Sequence, residues 1–179
     1  MKNYTFLEDR ILDETGAEVM MSWETPMMEK HAEVVTENGG DILEIGFGMG
    51  ICSDFIQTHQ INSHTIIEIH DQVFEKLLEW AKDKPNVIPI KGDWINSIPQ
   101  KTYDGIMFDT WKDNRNHHFK KLIKNHIKEG TIFTFYNSYQ SEINGYNYPA
   151  EYIKLEVSPD KQLKDYFSYN TYYLPKVVF

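Results

Sequence analysis

A strand-like run, Asp41-Ile42-Leu43-Glu44-Ile45, passes directly into Gly46-Phe47-Gly48-Met49-Gly50 and then into a helical stretch over residues 51–58. Glycines there allow a tight strand-to-helix turn and close approach of backbone N–H groups to a ligand. The helix that follows offers further unpaired amides at its N-terminus. This unit constrains the chain more than any other feature, because it opens the architecture of a parallel sheet covered by helices.

The rest of the chain repeats the alternation. A first helix is expected near Thr25-Pro26, with Thr25 as N-cap and Pro26 at the first helical position, ending at Asn38-Gly39-Gly40. After the glycine turn come a strand at His64–Glu68 and a helix at Asp71–Lys82 carrying Val73, Phe74, Leu77, Leu78 and Ala81 on one stripe. Strands follow at Asn86–Ile90, at Tyr103–Phe108 ending on Asp109, and at Thr131–Phe135, the last two separated by a basic helix within Lys112–Lys128. The runs Tyr152–Val157 and Tyr166–Phe179, divided by Ser158-Pro159-Asp160, are expected to form an antiparallel hairpin. The pattern predicts an α/β protein with a mostly parallel central sheet flanked by helices and a C-terminal antiparallel hairpin. One domain over residues 1–179 is expected, with 1–40 as an N-terminal cap or substrate segment and 41–179 as a Rossmann-like core.

Charge and composition narrow the partners. A net charge of −9 opposes attachment to phosphate backbones, so nucleic acid is not an expected partner. Lys120, Lys124 and Lys128, with Arg115 and Lys121, read as a solvated helix face. No apolar run approaches bilayer length, so no membrane partner is expected. Residues 1–20 scatter Glu8, Asp9, Asp13 and Glu14 among apolar residues, unlike a secretory leader, and the single cysteine, Cys52, needs no oxidising compartment. A cytoplasmic location is the expectation. The seven histidines, including adjacent His117 and His118, lack the spacing of a zinc site, so no metal is expected. Cys52 reads as a small packing residue.

The glycine turn and its surroundings specify a ligand. A dinucleotide fingerprint would require glycine where Ile51 stands, and Gly50 carries the third glycine instead. That spacing favours S-adenosylmethionine over NAD. Glu68 ends its strand twenty residues beyond Gly48, where a carboxylate can accept from both ribose hydroxyls. Asp93 could accept from an adenine amino group and Trp94 could pack against the base. Asp109, at the carboxyl end of its strand, and Glu24, just before the first helix, are a pair of carboxylates suited to a planar, charged guanidinium.

Several segments carry a resemblance. Val19-Met20-Met21-Ser22-Trp23-Glu24-Thr25-Pro26-Met27-Met28 is similar to the V-M-x-x-W-E-T-P-x-M signature of guanidinoacetate N-methyltransferases. Leu43–Met49 resembles that family's L-E-V-G-F-G-M, Ile66-Ile67-Glu68 its I-I-E, Val87–Gly92 its V-I-P-L-K-G, Tyr103–Thr110 its F-D-G-I-L-Y-D-T, and Ile123–His126 its I-K-N-H. The resemblance covers roughly positions 19–140 and extends to relatives acting on arginine side chains.

It implies a class I methyltransferase fold that uses S-adenosylmethionine and releases S-adenosylhomocysteine. By the same resemblance Glu24 and Asp109 would clasp the guanidino group, with Asp109 also near the cofactor's methyl; because a guanidinium must lose a proton as the new bond forms and a fixed carboxylate can take it, Asp109 is the expected base. Met20, Met28, Phe47, Gly48, Met49, Gly50, Ile51, Cys52 and Glu68 would line the cofactor pocket. Backbone amides at Ser138 and Tyr139 would receive a substrate carboxylate. The implied acceptor is a small guanidino compound such as guanidinoacetate, or alternatively arginine, free or within a peptide or protein; a third reading, a catalytically inactive S-adenosylmethionine-binding partner protein, is opposed by the presence of both Glu24 and Asp109. Monomer and homodimer both remain open. The chain departs from the family in a shorter segment before Met20, a shortened stretch between Tyr139 and Tyr152, and Asp93-Trp94 where the family has Trp-Glu.

Overall fold

The glycine turn lies at the middle of a seven-stranded sheet in the computed structural model, which describes residues 3–113, 115–160 and 167–179. The chain begins with three short strands, β1 (Thr5–Phe6), β2 (Arg10–Leu12) and β3 (Glu18–Met21), and a single 3-10 turn at Ser22–Glu24. The alternation follows as α1 (Thr25–Val35), β4 (Asp41–Ile45), α2 (Ile51–Ile56), β5 (Ser63–Glu68), α3 (Asp71–Ala81) and β6 (Val87–Lys91). Then come α4 (Trp94–Ser97), β7 (Gly105–Phe108), α5 (Asn116–Ile123), β8 (Ile132–Phe135), β9 (Glu151–Glu156) and β10 (Thr171–Val178).

The large sheet has the order β6-β5-β4-β7-β8-β10-β9. Strands β6, β5, β4, β7 and β8 are parallel, whereas β10 runs antiparallel to both β8 and β9. This is the mostly parallel sheet with a terminal hairpin that the hydrophobic alternation predicts. From β4 the chain winds outward through β5 and β6, then crosses back to β7 on β4's other side. A crevice therefore opens at the carboxyl ends of β4 and β7, the place where open α/β sheets bind ligands.

Helices cover both faces because the central strands are apolar on both sides. Residues of α1 and α2, among them Met27, Met28, Val35, Cys52 and Ile56, pack with Ile42, Met107 and Leu174 on one face. On the other, Phe108, Phe119, Phe133, Phe135 and Tyr146 form a ring cluster with centroid separations from 4.4 to 5.9 Å. Each such buried ring stabilises by about 1.5–3 kcal/mol relative to exposure.

Several local expectations are corrected. Thr25 is the first residue of α1 rather than its cap, and its hydroxyl donates back to the Ser22 carbonyl at 2.6 Å; Glu24 occupies the cap position. Helix α1 stops at Val35, before the glycines. On α3 the buried stripe narrows to Val73 and Leu77, and Leu78 is 48% exposed. The basic helix is confined to 116–123, so Lys124 and Lys128 lie beyond it, and Arg115 is ion-paired to Asp93 and Asp113 rather than solvated on its face. Tyr166, the expected start of the last run, and the side chain of His117 lie outside the described residues.

The N-terminal strands form a separate antiparallel sheet, β1-β2-β3, which the sequence pattern did not reveal. Asp13 closes the β2–β3 turn by accepting from the Thr15 and Ala17 amides and the Thr15 hydroxyl. Tyr4 N donates to Gln72 Oε1 at 2.7 Å, and Lys112 Nζ pairs with Asp13 at 2.7 Å, so this sheet is tied to α3 and to the loop after β7. Among the described residues no helix is long and apolar enough to cross a membrane, and no group of acids, histidines and cysteines is arranged to hold a metal ion.

Candidate active site

The parallel ladder brings the ends of β4 and β7 together. Ile45 pairs with Phe108, and Asp109 N donates to the Ile45 carbonyl at 2.9 Å. Gly46 then has φ of 94°, and a Cβ at that position would lie 1.8 Å from the Asp109 carbonyl oxygen. Only glycine permits this approach. At Gly48, φ is 56° and a Cβ would meet Met20 Sδ at 2.5 Å. Met49 N also contacts that sulfur at 3.2 Å, so the end of β3 packs directly on the glycine turn.

Glu68 fastens the same turn to β5. It is buried, and its carboxylate accepts from Phe47 N at 3.0 Å and from His70 N at 2.6 Å. Each oxygen keeps a lone pair for a further donor. These elements surround a cleft of about 350 Å³, lined among others by Met20, Met28, Gly46, Phe47, Gly48, Cys52, Glu68, Trp94 and Asp109. Tyr4 and His70, stacked with centroids 3.7 Å apart, and Ile69 join the lining.

A second cavity, about 280 Å³, lies beyond Asp109 and is lined by Asp113, Tyr136, Asn137, Ser138, Tyr139 and Tyr146, among others. Asp109, Thr110 and Asp113 belong to both cavities. Burial, and secondarily the charge of Glu44, pushes the Asp109 carboxyl up to about 7. Glu44 is itself buried in the floor, accepting from Ser53 Oγ at 2.5 Å and lying 2.9 Å from His64 Nε2.

The other sequence candidates distribute unevenly. Glu24 is 1% exposed, accepts from Met21 N at 2.8 Å at the start of α1, and lines neither cavity. Burial, joined by the charges of Asp109 and then Glu24, raises the Tyr172 phenol. Met49, Gly50 and Ile51 form the back of the turn outside the cleft lining. Asp93 is also outside: one oxygen caps α4 through Ile95 N at 3.1 Å, and the other pairs with Arg115 at 2.6 Å. Arg115 in turn holds Asp113 at 2.8 Å, and Trp94 donates to Asp113 at 2.7 Å. Ser138 and Tyr139 line the second cavity, as Asp109 does. Tyr139 N already donates to Asn137 Oδ1 at 3.3 Å.

Sequence reasoning missed Tyr4, His70, Thr110 and Asp113 as lining residues. A histidine two positions after Glu68 and an acid four after Asp109 were visible. Their place in the cleft depends on loops and on an N-terminal sheet with little periodicity of its own.

A parallel sheet with this strand order, its antiparallel closing strand and a glycine-turn cleft at the β4/β7 crevice define a class I methyltransferase fold. Solved structures agree: the N-methyltransferase NodS from Bradyrhizobium japonicum in complex with S-adenosylhomocysteine superposes with a TM-score of 0.64 at 11% identity, over 86% of this chain and 86% of that one. A putative methyltransferase from Thermoplasma acidophilum gives 0.56 at 21% identity, over 78% and 68%. Within this fold the chain belongs to the guanidinoacetate N-methyltransferase family, whose profile matches residues 3–145. It is also 31% identical to protein arginine N-methyltransferase 2 of Saccharomyces cerevisiae, over 90% of this chain and 47% of that protein. With the Aspergillus oryzae protein of the same name the identity is 39%, over 60% and 26%. The chain thus spans about half or less of the length of these curated relatives.

Proposed function

We propose that this chain methylates a guanidino nitrogen, taking the methyl group from S-adenosylmethionine bound in the 350 Å³ cleft. The observation that carries the reading is the position of Asp109 on the wall shared by that cleft and the second cavity. The donor's sulfonium supplies an electrophilic methyl carbon. The cleft suits it: Gly46 and Gly48 let the turn pack tightly along the cleft wall, Glu68 has acceptor capacity for ribose hydroxyls, and acidic residues favour a cation.

The acceptor's difficulty is its proton. A guanidinium has a pKa above about 12 and no free lone pair, so a proton must leave as the new N–C bond forms. The S–C bond breaks with its electron pair going to sulfur, and the Asp109 carboxylate takes the proton from nitrogen. Two acids, the partly exposed Asp109 on the cavity wall and the buried Glu24, offset the cost of bringing a cationic acceptor to a cationic donor. Glu24 acts at the edge of the site, in the segment between Met20 and Met28, both of which line the cleft.

Among guanidino acceptors, an arginine residue is favoured over a small guanidino acid. Among the described residues, those lining the second cavity include two carboxylates and no lysine or arginine, and the Tyr139 amide already donates to Asn137, so the described lining offers little to receive a substrate carboxylate. The names of the relatives agree with that reading, while the family's own name keeps guanidinoacetate as the second. Labelled methyl transfer to arginyl peptides, free arginine and guanidinoacetate separates them. Transfer to none of the three, by protein that binds S-adenosylhomocysteine, would sink the proposal.

A further inference from the structure

Behind the second cavity runs a chain of buried polar groups linking α1, β8 and β10. Thr134 Oγ1 donates to the Pro175 carbonyl at 2.7 Å, and a hydroxyl has one proton, so toward His31 Nδ1, 2.7 Å away, it can only accept. His31 therefore carries its proton on Nδ1. Burial keeps the imidazole neutral, lowering it to about 3. Its Nε2 is then an acceptor, and the Tyr172 hydroxyl donates to it at 2.9 Å. The phenol oxygen in turn accepts the backbone N–H of Asn137 at 2.8 Å. Every group in the series is at most 1% exposed, and every proton has one available direction.

The series ends on the wall of the acceptor cavity. Asn137 follows Tyr136, whose N donates to the Phe108 carbonyl at 3.1 Å, next to Asp109. Asn137 Nδ2 donates to the carbonyls of Ile143 and Tyr173, and its Oδ1 accepts from Tyr139 N. The backbone of residues 136–139 is thus held from behind by Tyr172 and from the sides by Asn137. It faces the space into which Asp109 projects.

We propose that His31 and Tyr172 are positioning residues for the methyl acceptor: their one-way hydrogen-bond series sets the backbone of residues 136–139 against Asp109 without touching either substrate. The proposal rests on the reading of the second cavity as the acceptor site. It makes acceptor affinity, rather than cofactor affinity, depend on a hydroxyl and an imidazole buried in the core.

Tyr172→Phe keeps the ring's packing and leaves Asn137 N–H without its acceptor. The acceptor KM is expected to rise about tenfold, the equivalent of one buried hydrogen bond, with kcat little changed and S-adenosylhomocysteine affinity unaltered. His31→Leu removes the acceptor for the Tyr172 hydroxyl and should act in the same direction, and His31→Gln, whose amide oxygen can stand near Nε2, should restore much of the loss. Amide hydrogen exchange is read on the same proteins. Faster exchange at Asn137 and Tyr139 in Tyr172→Phe, with Phe47 unchanged, is expected even if the acceptor has been misassigned. An inactive parent would overturn the function while leaving exchange to decide whether the series holds the loop. Unchanged exchange at residues 137–139, or a kcat loss and weaker cofactor binding in place of a KM effect, would overturn the proposal.

Discussion

The carbonyl oxygen of Asp109 occupies the place where a side chain on Gly46 would begin, 1.8 Å from the ideal Cβ position. The glycine turn and the proposed base are therefore one packing unit, although 63 residues separate them. Gly46→Ala must push the ends of β4 and β7 apart or abandon φ of 94°. We expect it to lose S-adenosylhomocysteine binding by at least tenfold, about 1.4 kcal/mol, and to lower the melting temperature. Calorimetry giving parental affinity would show that the cleft does not need this contact.

Glu68 has two tasks, holding Phe47 N and His70 N and offering its remaining lone pairs to a ligand. Glu68→Ala is expected to weaken S-adenosylhomocysteine binding by about 1–3 kcal/mol, with the protein still folded. Titration of the variant beside the parent decides this, and equal affinities would remove Glu68 from the cofactor site.

Asp109 must be ionised to accept a proton, and its carboxyl is held near 7 by burial and by Glu44. Acceptor kcat/KM is expected to rise with pH through about 7 and then level off. Asp109→Asn should remove that limb and cut turnover by on the order of 10² or more, with far less effect on cofactor affinity. Initial rates across the range test both statements, and a variant retaining the parental profile would assign the base elsewhere.

The same shift has a stability consequence. The folded protein holds the Asp109 proton more tightly than the unfolded chain, whose value is near 3.8, so the contribution to stability is full below about 4 and is lost as pH rises through about 7. Asp109→Asn escapes that loss. Its melting temperature relative to the parent should climb across this window, and a constant difference would contradict the raised value.

Asp13 closes the β2–β3 turn and pairs with Lys112 of the loop after β7, and these contacts lower its carboxyl far below the ordinary range. Asp13→Ala should destabilise the N-terminal sheet by about 1–3 kcal/mol, since it strands several donors. Limited proteolysis is expected to open the segment before Met20 first. The large sheet should resist longer, and simultaneous digestion of both would show that the strands do not open separately.

What could be read from the sequence lies in contiguous stretches. The run from Asp41 through the glycines to Ile56, the acid ending β5 and the acid ending β7 carry their periodicity and turn chemistry within a few residues, so element order and sheet type follow from local rules. The shape of the site does not. Asp93 could be read as a ligand for adenine until Arg115, 22 residues away, took one of its oxygens and Ile95 N the other. Glu24 belonged to a recognisable segment, yet its burial at the start of α1 depends on the 3-10 turn that directs it to Met21 N. Strands of two to four residues leave too few positions to show a period, so β1, β2 and β3 were silent in the sequence. Local chemistry determines which residues can face the crevice at β4 and β7. Only the packed chain, by settling which donors each carboxylate meets, leaves Asp109 between two cavities with its carboxyl raised and Asp93 outside them with both oxygens engaged.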